Sequence, residues 1–215
     1  MKYDLHIHTK YSACSNLKPS AILKTAKKLK LDGIAVTDHN SLKGALAVSK
    51  LNKDKKFEVI KGEEIETKQA HVLGLYLHKE IKPAGLLDVL EEIKKQNGIA
   101  VIAHPFGLGA LRNRLNIDFS KIKNRIDAIE TFNARMFFPW ENKKAEKFAV
   151  RYNIAQTAGS DAHFSFEIGK AVTIFNDSLR KAVKMRKTKT KGSILFSCPG
   201  RFFSVFEKYI KRSKF

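Results

Sequence analysis

The chain holds seven histidines, and six of them stand at or just after the carboxyl end of a strand-like run, or at the start of one beside a loop. These are His6, His8, His39, His71, His104 and His163. His6 and His8 are two apart in an alternating segment, so on a strand both imidazoles project from one face and can grip one ion. Further along come Asp38-His39, then Gly62-Glu63-Glu64-Ile65-Glu66 followed by His71-Val72-Leu73-Gly74, then Ala103-His104-Pro105. Gly159-Ser160-Asp161-Ala162-His163 again sets a carboxylate and an imidazole two apart. Taken singly, each piece has an ordinary reading: solvated glutamates, a turn at Asp38-His39, a pair of hydrogen-bonded strand histidines. Gathered at the ends of neighbouring strands, they would repel and stay poorly satisfied unless cations or hydrogen-bond partners compensated them.

Mixed imidazole and carboxylate donors suit Zn²⁺, Mn²⁺ or Fe²⁺ and argue against a thiolate cluster or an all-oxygen Ca²⁺ site. More donors than one ion needs imply two or three divalent metal ions in one pocket. Close cations lower the pKa of a bridging water, to about 7 in favourable zinc sites, and neutralise charge growing on phosphoryl oxygens. The reaction expected of such a pocket is phosphoester hydrolysis by a metal-bridged hydroxide. Deacetylation and deamidation by a metal-held hydroxide stay open on the residues alone.

The elements that must position these groups alternate between strand-like and helix-like periodicity. Strands are predicted over Tyr3–His8, Gly33–Thr37, Phe57–Glu63, His71–Tyr76, Ile99–Ala103, Ala128–Thr131, Ala155–Ala158 and Ala171–Phe175. Helices are predicted over Pro19–Lys30, Leu42–Leu51, Gly85–Gln96, Trp140–Tyr152 and Ser178–Lys184. Pro19 suits the first position of a helix, and Asn97-Gly98 suits a helix C-cap. Repeated βα units predict an α/β fold with a mostly parallel sheet, closed as a barrel or doubly wound. Neither GxGxxG nor a Walker loop is present to support the doubly wound form. Arg186 to Gly192, rich in Lys and Thr, reads as a linker, and beyond it Phe202, Phe203, Phe206, Tyr209 and Ile210 keep helical spacing. The expected organisation is therefore a barrel over residues 1–185 and a basic extension with an amphipathic helix over 186–215.

With 215 residues, 43% hydrophobic and 29% charged, the chain has the composition of one globular domain, which excludes a largely disordered or fibrous protein. Apolar runs such as Ile99 to Ala103 fall far short of the roughly 18 to 20 residues of a membrane-spanning helix. The amino terminus has no signal-peptide pattern, so a cytoplasmic location is expected. Cys14 and Cys198 form neither a CxxC nor a disulfide framework. Lys plus Arg exceeds Asp plus Glu by 41 to 21, a formal charge of +20. Twelve of those basic residues, against Asp177 and Glu207, lie in 177–215. Such a field attracts polyanions, and the expected partner is a phosphorylated small molecule or a nucleic acid.

In order along the chain, Asp4-Leu5-His6-Ile7-His8-Thr9, Thr37-Asp38-His39, Gly62-Glu63-Glu64, His71-Val72-Leu73-Gly74, Ala103-His104-Pro105, Ile129-Glu130-Thr131-Phe132-Asn133 and Gly159-Ser160-Asp161-Ala162-His163 resemble the motifs of the PHP (polymerase and histidinol phosphatase) family of metal-dependent phosphoesterases. The resemblance covers residues 1 to about 185. It implies a distorted (β/α)7 TIM-like barrel with a trinuclear metal centre at its C-terminal face, opened where an eighth unit would sit. Carried over by position, it implies that His6, His8, Glu64 and Asp161 hold a first metal, that Glu64 bridges to a second held by His71 and His104, and that His39 and His163 hold a third. Glu64 is preferred because it stands two residues after Gly62, with Glu63 as the alternative. Asp38 is expected to orient its neighbours or a water, and His39 or His163 to protonate the leaving oxygen. Where many members read Ser-Asp-Gly and place a third-metal aspartate, this chain reads Ser12-Ala13-Cys14-Ser15, so Cys14 is either a substitute ligand or a small loop residue.

Glu130 and Asn133 are expected at the same rim, with Asn133 touching substrate and Arg135 gripping a phosphate through a charge-assisted fork. Lys43, Arg112 and Arg114 are expected in loops facing the pocket, and His78 on the surface. The substrate implied is a nucleotide, an oligonucleotide end or a small phosphomonoester. The alternative is a nucleic-acid-binding or assembly subunit with a non-catalytic metal site, which predicts lost ligands.

Overall fold

The computed structural model describes residues 1–107 and 115–194. Among these residues, nine strands form one sheet: β1 (Lys2–Ile7), β2 (Gly33–His39), β3 (Glu58–Glu66), β4 (His71–Leu75), β5 (Ile99–Ile102), β6 (Ala128–Asn133), β7 (Ala155–Gly159), β8 (Ala171–Ile174) and β9 (Lys189–Gly192), in the spatial order β7-β6-β5-β4-β3-β2-β1-β8-β9. Among the described residues, five α-helices accompany them: α1 (Pro19–Lys28), α2 (Lys43–Leu51), α3 (Leu86–Lys95), α4 (Pro139–Arg151) and α5 (Leu179–Lys184). The sheet curls until its ends meet. Ile7 bridges Ala162 in parallel, the His8 N–H donates to the Ala162 carbonyl at 2.9 Å, and Thr173 Oγ1 bonds both backbone groups of Ala158. A nearly closed α/β barrel of the expected TIM-like kind results. Gly159 permits that closure, because a Cβ there would collide with His6.

Apolar side chains pack on both faces of the sheet. Tyr3, Leu5, Ala35, Ile60, Leu73, Val101 and Ala128 pack together, and Phe175, Leu179, Ala182 and Val183 close this apolar plug at the amino ends of the parallel strands. A second layer, including Ile22, Ile34, Val36, Val48, Val89, Ile93 and Ile129, seals the helices onto the outside of the sheet. The carboxyl ends are left for polar groups.

Two expectations need correction. Pairing is parallel for β1 with β2, β2 with β3, β5 with β6 and β6 with β7, but antiparallel for β3 with β4, β4 with β5, β1 with β8 and β8 with β9. The sheet is thus evenly mixed and not mostly parallel. Four residues separate β3 from β4, with Thr67 bonded to Ala70 across the turn, and so short a connection allows only a hairpin. The second correction concerns Arg186 to Gly192, where Lys189–Gly192 is a strand that pairs with β8 from Ala171↔Gly192 to Ile174↔Lys189. Lysine-rich composition suits an edge strand as well as a linker. The predicted amphipathic stretch from Phe202 to Ile210 lies outside the described residues. Among the described residues, no helix is long and apolar enough to cross a membrane.

Candidate metal centre

Two irregularities in the strands aim the pocket. In β1, Tyr3 and Leu5 face the inner apolar cluster, so strict alternation would turn His6 outward. The pairing with β2 shifts register between Asp4 and Ile7, and His6 instead points inward, as does His8 two residues on. A similar shift in β6 between Glu130 and Phe132 brings both Glu130 and Asn133 to the same interior. Bulges of this kind re-aim side chains beside functional sites. β4 runs antiparallel, so its first residue, His71, lies at the rim where its neighbours end.

The buried Glu64 sits at the centre of the cluster. Its Oε2 lies 3.2 Å from His6 Nε2, 3.2 Å from His8 Nε2 and 3.3 Å from His39 Nδ1. Its Oε1 lies 2.8 Å from His71 Nδ1 and 3.0 Å from His104 Nε2. Asp161 Oδ1 is 3.2 Å from His8 Nε2 and 3.8 Å from His6 Nε2. Glu63, its neighbour on β3, faces away and accepts the Ile81 N–H at 3.1 Å, so of the two glutamates the imidazoles gather on Glu64.

A set of supporting groups fixes how these donors point. Glu130 Oε1 lies 3.0 Å from His6 Nδ1, which assigns the proton to Nδ1 and turns the Nε2 lone pair into the pocket. Ser12 Oγ lies 3.4 Å from His8 Nδ1 and plays the same part there. The Asp161 carbonyl lies 2.8 Å from His163 Nδ1, so His163 Nε2 presents its lone pair toward Cys14 Sγ, 3.0 Å away. Asp38 does not enter the pocket. It accepts from Thr9 N–H (2.7 Å), Thr9 Oγ1 (2.7 Å) and Ser12 Oγ (2.6 Å), and Ser12 Oγ in turn accepts the His39 N–H. Gly44 of α2 packs so closely on Asp38 and Thr9 that a Cβ would overlap both.

The carboxylates of Glu64, Glu130 and Asp161 converge on His6, so the pocket attracts positive charge, as a proton or as a cation. Burial would lower the pKa of His6, yet Glu130, Asp161 and Glu64 raise it well above its ordinary value. His8 is raised as well, burial being outweighed by Asp161 and Glu64. Burial would raise Glu64, but His39, His6 and His104 hold it well below the usual carboxylate range. His163 runs the other way: burial, then the charges of Arg135 and His8, hold it well below its ordinary value and keep it neutral. Such a donor set fits divalent cations. Ligating atoms group within 4.8 Å as His6-His8-Asp161, His6-Glu64-His104, His8-His39-Glu64 and His8-Cys14-His163. His39 and His163 are not brought directly together. The His8 ring stands between them, its centroid 4.7 Å from that of His39 and 4.5 Å from that of His163.

The remaining candidates divide. Asn133 Nδ2 donates to Glu130 Oε2 at 3.1 Å and Asp161 Oδ2 at 3.3 Å, at the pocket wall. Arg135 is buried, with Nη1 3.3 Å from Glu167 Oε2 and 3.5 Å from the Asp161 carbonyl, so it braces the loop that carries Asp161 and His163. Lys43 is exposed at the start of α2, and His78 is a surface residue. Arg112 and Arg114 lie outside the described residues.

Three further carboxylates support the site, with no role assigned to them from sequence. Glu167 Oε2 accepts the N–H of His163 at 2.6 Å and of Phe164 at 3.1 Å, and burial raises its pKa against the pull of Arg135. Asp4 accepts from Ser160 and Gly169, tying β1 to the same loop, and burial pushes its pKa up to about 6. Glu66 Oε1 reaches His39 Nδ1 at 3.3 Å.

Known proteins agree with this architecture. Residues 4–133 match the PHP domain model and residues 139–188 the PHP-associated model. The chain belongs to the PHP domain family. It is 38% identical over 149 residues to the uncharacterized protein MJ1587 of Methanocaldococcus jannaschii, covering 62% of this chain and 82% of that one. It is 35% identical over 184 residues to MJ0417 of the same organism, covering 82% of this chain and 71% of that one. Its fold resembles a two-domain protein from Bacteroides vulgatus containing a predicted PHP-like metal-dependent phosphoesterase, with TM-score 0.72 and 20% identity over 97% of this chain and 69% of that one. It also resembles PsfC from Pseudomonas syringae, with TM-score 0.64 and 20% identity over 100% of this chain and 98% of that one.

Proposed function

We propose that the protein is a metal-dependent phosphoesterase that hydrolyses a phosphoester of a nucleotide, an oligonucleotide end or a small phosphomonoester. The observation that carries this reading is the way Glu64 divides its two oxygens, one toward His6, His8 and His39 and the other toward His71 and His104. A carboxylate shared in that way suits two neighbouring ions. His6, His8, Glu64 and Asp161 would hold one, Glu64, His71 and His104 a second, and His163 with Cys14, beside His8, a third, the ions being Zn²⁺, Mn²⁺ or Fe²⁺. Bound divalent ions supply an acidified water and neutralise charge on phosphoryl oxygens.

The chain's own residues do the rest. Glu130, Ser12 and the Asp161 carbonyl hold the tautomers of His6, His8 and His163, and Asp38 fixes the loop from Thr9 to Ser12. His39 is 21% exposed, so among the imidazoles of the pocket it is placed to meet a leaving group arriving from solvent, delivering a proton from Nε2 while Nδ1 faces Glu64 and Glu66. Asn133 lines the wall beside Asp161 and is the substrate contact in this reading, whereas Arg135 positions the Asp161–His163 loop. The net charge of +20 favours an anionic substrate over the amide and acetyl substrates left open above. The filled ligand set supports a hydrolase over a binding subunit with a lapsed site.

Stripping the protein with chelator and restoring Mn²⁺, Zn²⁺ or Fe²⁺ should restore hydrolysis of bis(4-nitrophenyl) phosphate or a nucleotide panel. Glu64→Gln should lose bound metal and activity together. Metal-replete protein inactive across that panel overturns the reading.

A further inference from the structure

The two loops that carry Arg135 and His163 also carry aromatic rings that the protein leaves in water. Phe137, Phe138, Pro139 and Trp140 are consecutive and exposed, the three rings by 48%, 49% and 47%, and Phe166 is exposed by 56%. Large apolar residues scattered singly need no account, but a contiguous run of them marks an interaction surface. The rings are ordered in pairs. Phe138 and Trp140 lie 6.1 Å apart and 12° from parallel, and Phe164 and Phe166 lie 5.7 Å apart and 14° from parallel.

Both pairs are tied to the pocket wall. Glu167 accepts from His163 and Phe164 and pairs with Arg135, so one buried carboxylate fixes the two loops to each other. Three residues of chain span at most about 11 Å, which keeps Phe166 close to His163 and Phe138 close to Arg135. Lys143, Lys144 and Lys147 lie exposed along α4 directly after Trp140, within a chain of net charge +20.

We propose that these rings are a stacking platform for the unpaired bases of a single-stranded nucleic acid whose phosphate enters the metal pocket. The proposal rests on the phosphoesterase reading and deepens it. Exposed aromatics beside a basic surface are what single-strand recognition uses, since every base offers a π-face while the backbone follows the positive charge. Charge complementarity selects a polyanion. The paired, near-parallel rings select planar partners over acyl chains, and their place at the rim sets the bases within reach of the scissile phosphate.

Trp140 is the chain's single tryptophan, so its fluorescence reports the platform alone. The holoprotein is titrated with a short phosphorothioate-linked oligodeoxythymidylate, and separately with an abasic oligomer of equal length and charge. The expected result is quenching of Trp140 by the first and at least about tenfold tighter binding than the second, since stacking is worth about 1–3 kcal/mol per base. By anisotropy of a labelled oligonucleotide, Trp140→Ala and Phe166→Ala should each weaken binding about tenfold, and Trp140→Phe should restore most of it. Because these two substitutions lie on separate loops, misfolding of one leaves the other informative. Equal affinity for the two oligomers overturns the proposal, as does a Trp140 response to anionic phospholipid vesicles with none to the oligonucleotide. Base-dependent binding in a protein that hydrolyses no phosphoester would reject the phosphoesterase reading and leave the platform standing.

Discussion

Replacing Glu130 by glutamine changes one atom of a side chain that never needs to touch a metal, and it should still weaken metal binding 10- to 100-fold. Glu130 spends both oxygens on donors: Oε1 on His6 Nδ1 at 3.0 Å, and Oε2 on the His104 N–H at 2.9 Å and Asn133 Nδ2 at 3.1 Å. An amide has one oxygen. If its NH₂ takes the Oε2 position it meets two donors, and the buried conflict costs about 1–3 kcal/mol. If it takes the Oε1 position, His6 must move its proton to Nε2, and a proton replaces the lone pair aimed at Glu64 and Asp161. Loss of a carboxylate that orients a ligating histidine costs about 10- to 100-fold in metal affinity, about 1.4–2.7 kcal/mol. Competition against a chromophoric chelator measures the affinity, and metal analysis of the same sample gives the stoichiometry. Melting of the metal-stripped variant separates a local loss from unfolding. A folded Glu130→Gln protein with the parent affinity and stoichiometry would refute the assignment of His6's tautomer.

Asp38→Ala removes the acceptor of three short hydrogen bonds from Thr9 and Ser12 and should cost about 3 kcal/mol or more in denaturant unfolding, even without metal; a loss under about 1 kcal/mol would mean that the loop holds itself. Cys14, 3.0 Å from His163 Nε2 and grouped with His8, should give Co²⁺-loaded protein a thiolate-to-cobalt charge-transfer band that Cys14→Ser lacks, and an unchanged near-ultraviolet spectrum would make it a loop residue only. Glu63 has its pKa pushed up by burial from 4.5 to about 7, so between those pH values the folded chain keeps a proton that the unfolded chain releases. Stability therefore falls as pH rises through that window, and Glu63→Gln should remove the decline: the variant melts higher than the parent above pH 7 and loses that advantage as pH drops toward 4.5. Parallel pH profiles for the two proteins would contradict this.

What could be read from the chain depended on whether the cause was local. The two-residue spacings of His6 with His8 and Asp161 with His163 carried their meaning within one segment, and the structure sets both pairs in one pocket. Choosing Glu64 over Glu63 followed a motif, and strand alternation supplies the physical reason: adjacent residues face opposite sides, and register pairs His39 with Glu64. The antiparallel course of β4 was not legible, because a Val-Leu-Gly-Leu run is equally good in either direction. Nor were the bulges in β1 and β6, which exist only relative to partner strands. Arg135 looked like a phosphate ligand because its spacing cannot show that Glu167, thirty-two residues later, buries and neutralises it. Lys189–Gly192 looked like a linker for a related reason, since an edge strand and a tether share a composition.

The backbone at the rim explains why the pocket's donors can converge at all. His104 and Asp161 hold positive φ, +28° and +56°, a region that side chains with a Cβ enter at a cost of about 1–3 kcal/mol. Asn40, just past His39, does the same at +50° with a residue type that tolerates it. Each marks the place where a strand stops and the chain turns back over the barrel mouth. The conformations are held by hydrogen bonds aimed at those turns: Glu130 accepts the His104 N–H, Asn40 Oδ1 accepts the Glu66 N–H, and Asp4 accepts the Ser160 N–H immediately before Asp161. Glu130 and Asp4 are buried carboxylates outside the group that gathers on Glu64. The pocket is thus shaped by anions on its outside that fix strained turns, and those turns carry the imidazoles and carboxylates that face inward. Acceptors on both sides of the same peptide segments draw positive charge into the cluster; protons on His6 and His8 are one way to meet that demand, and a divalent cation meets it without a proton that would cap the lone pairs.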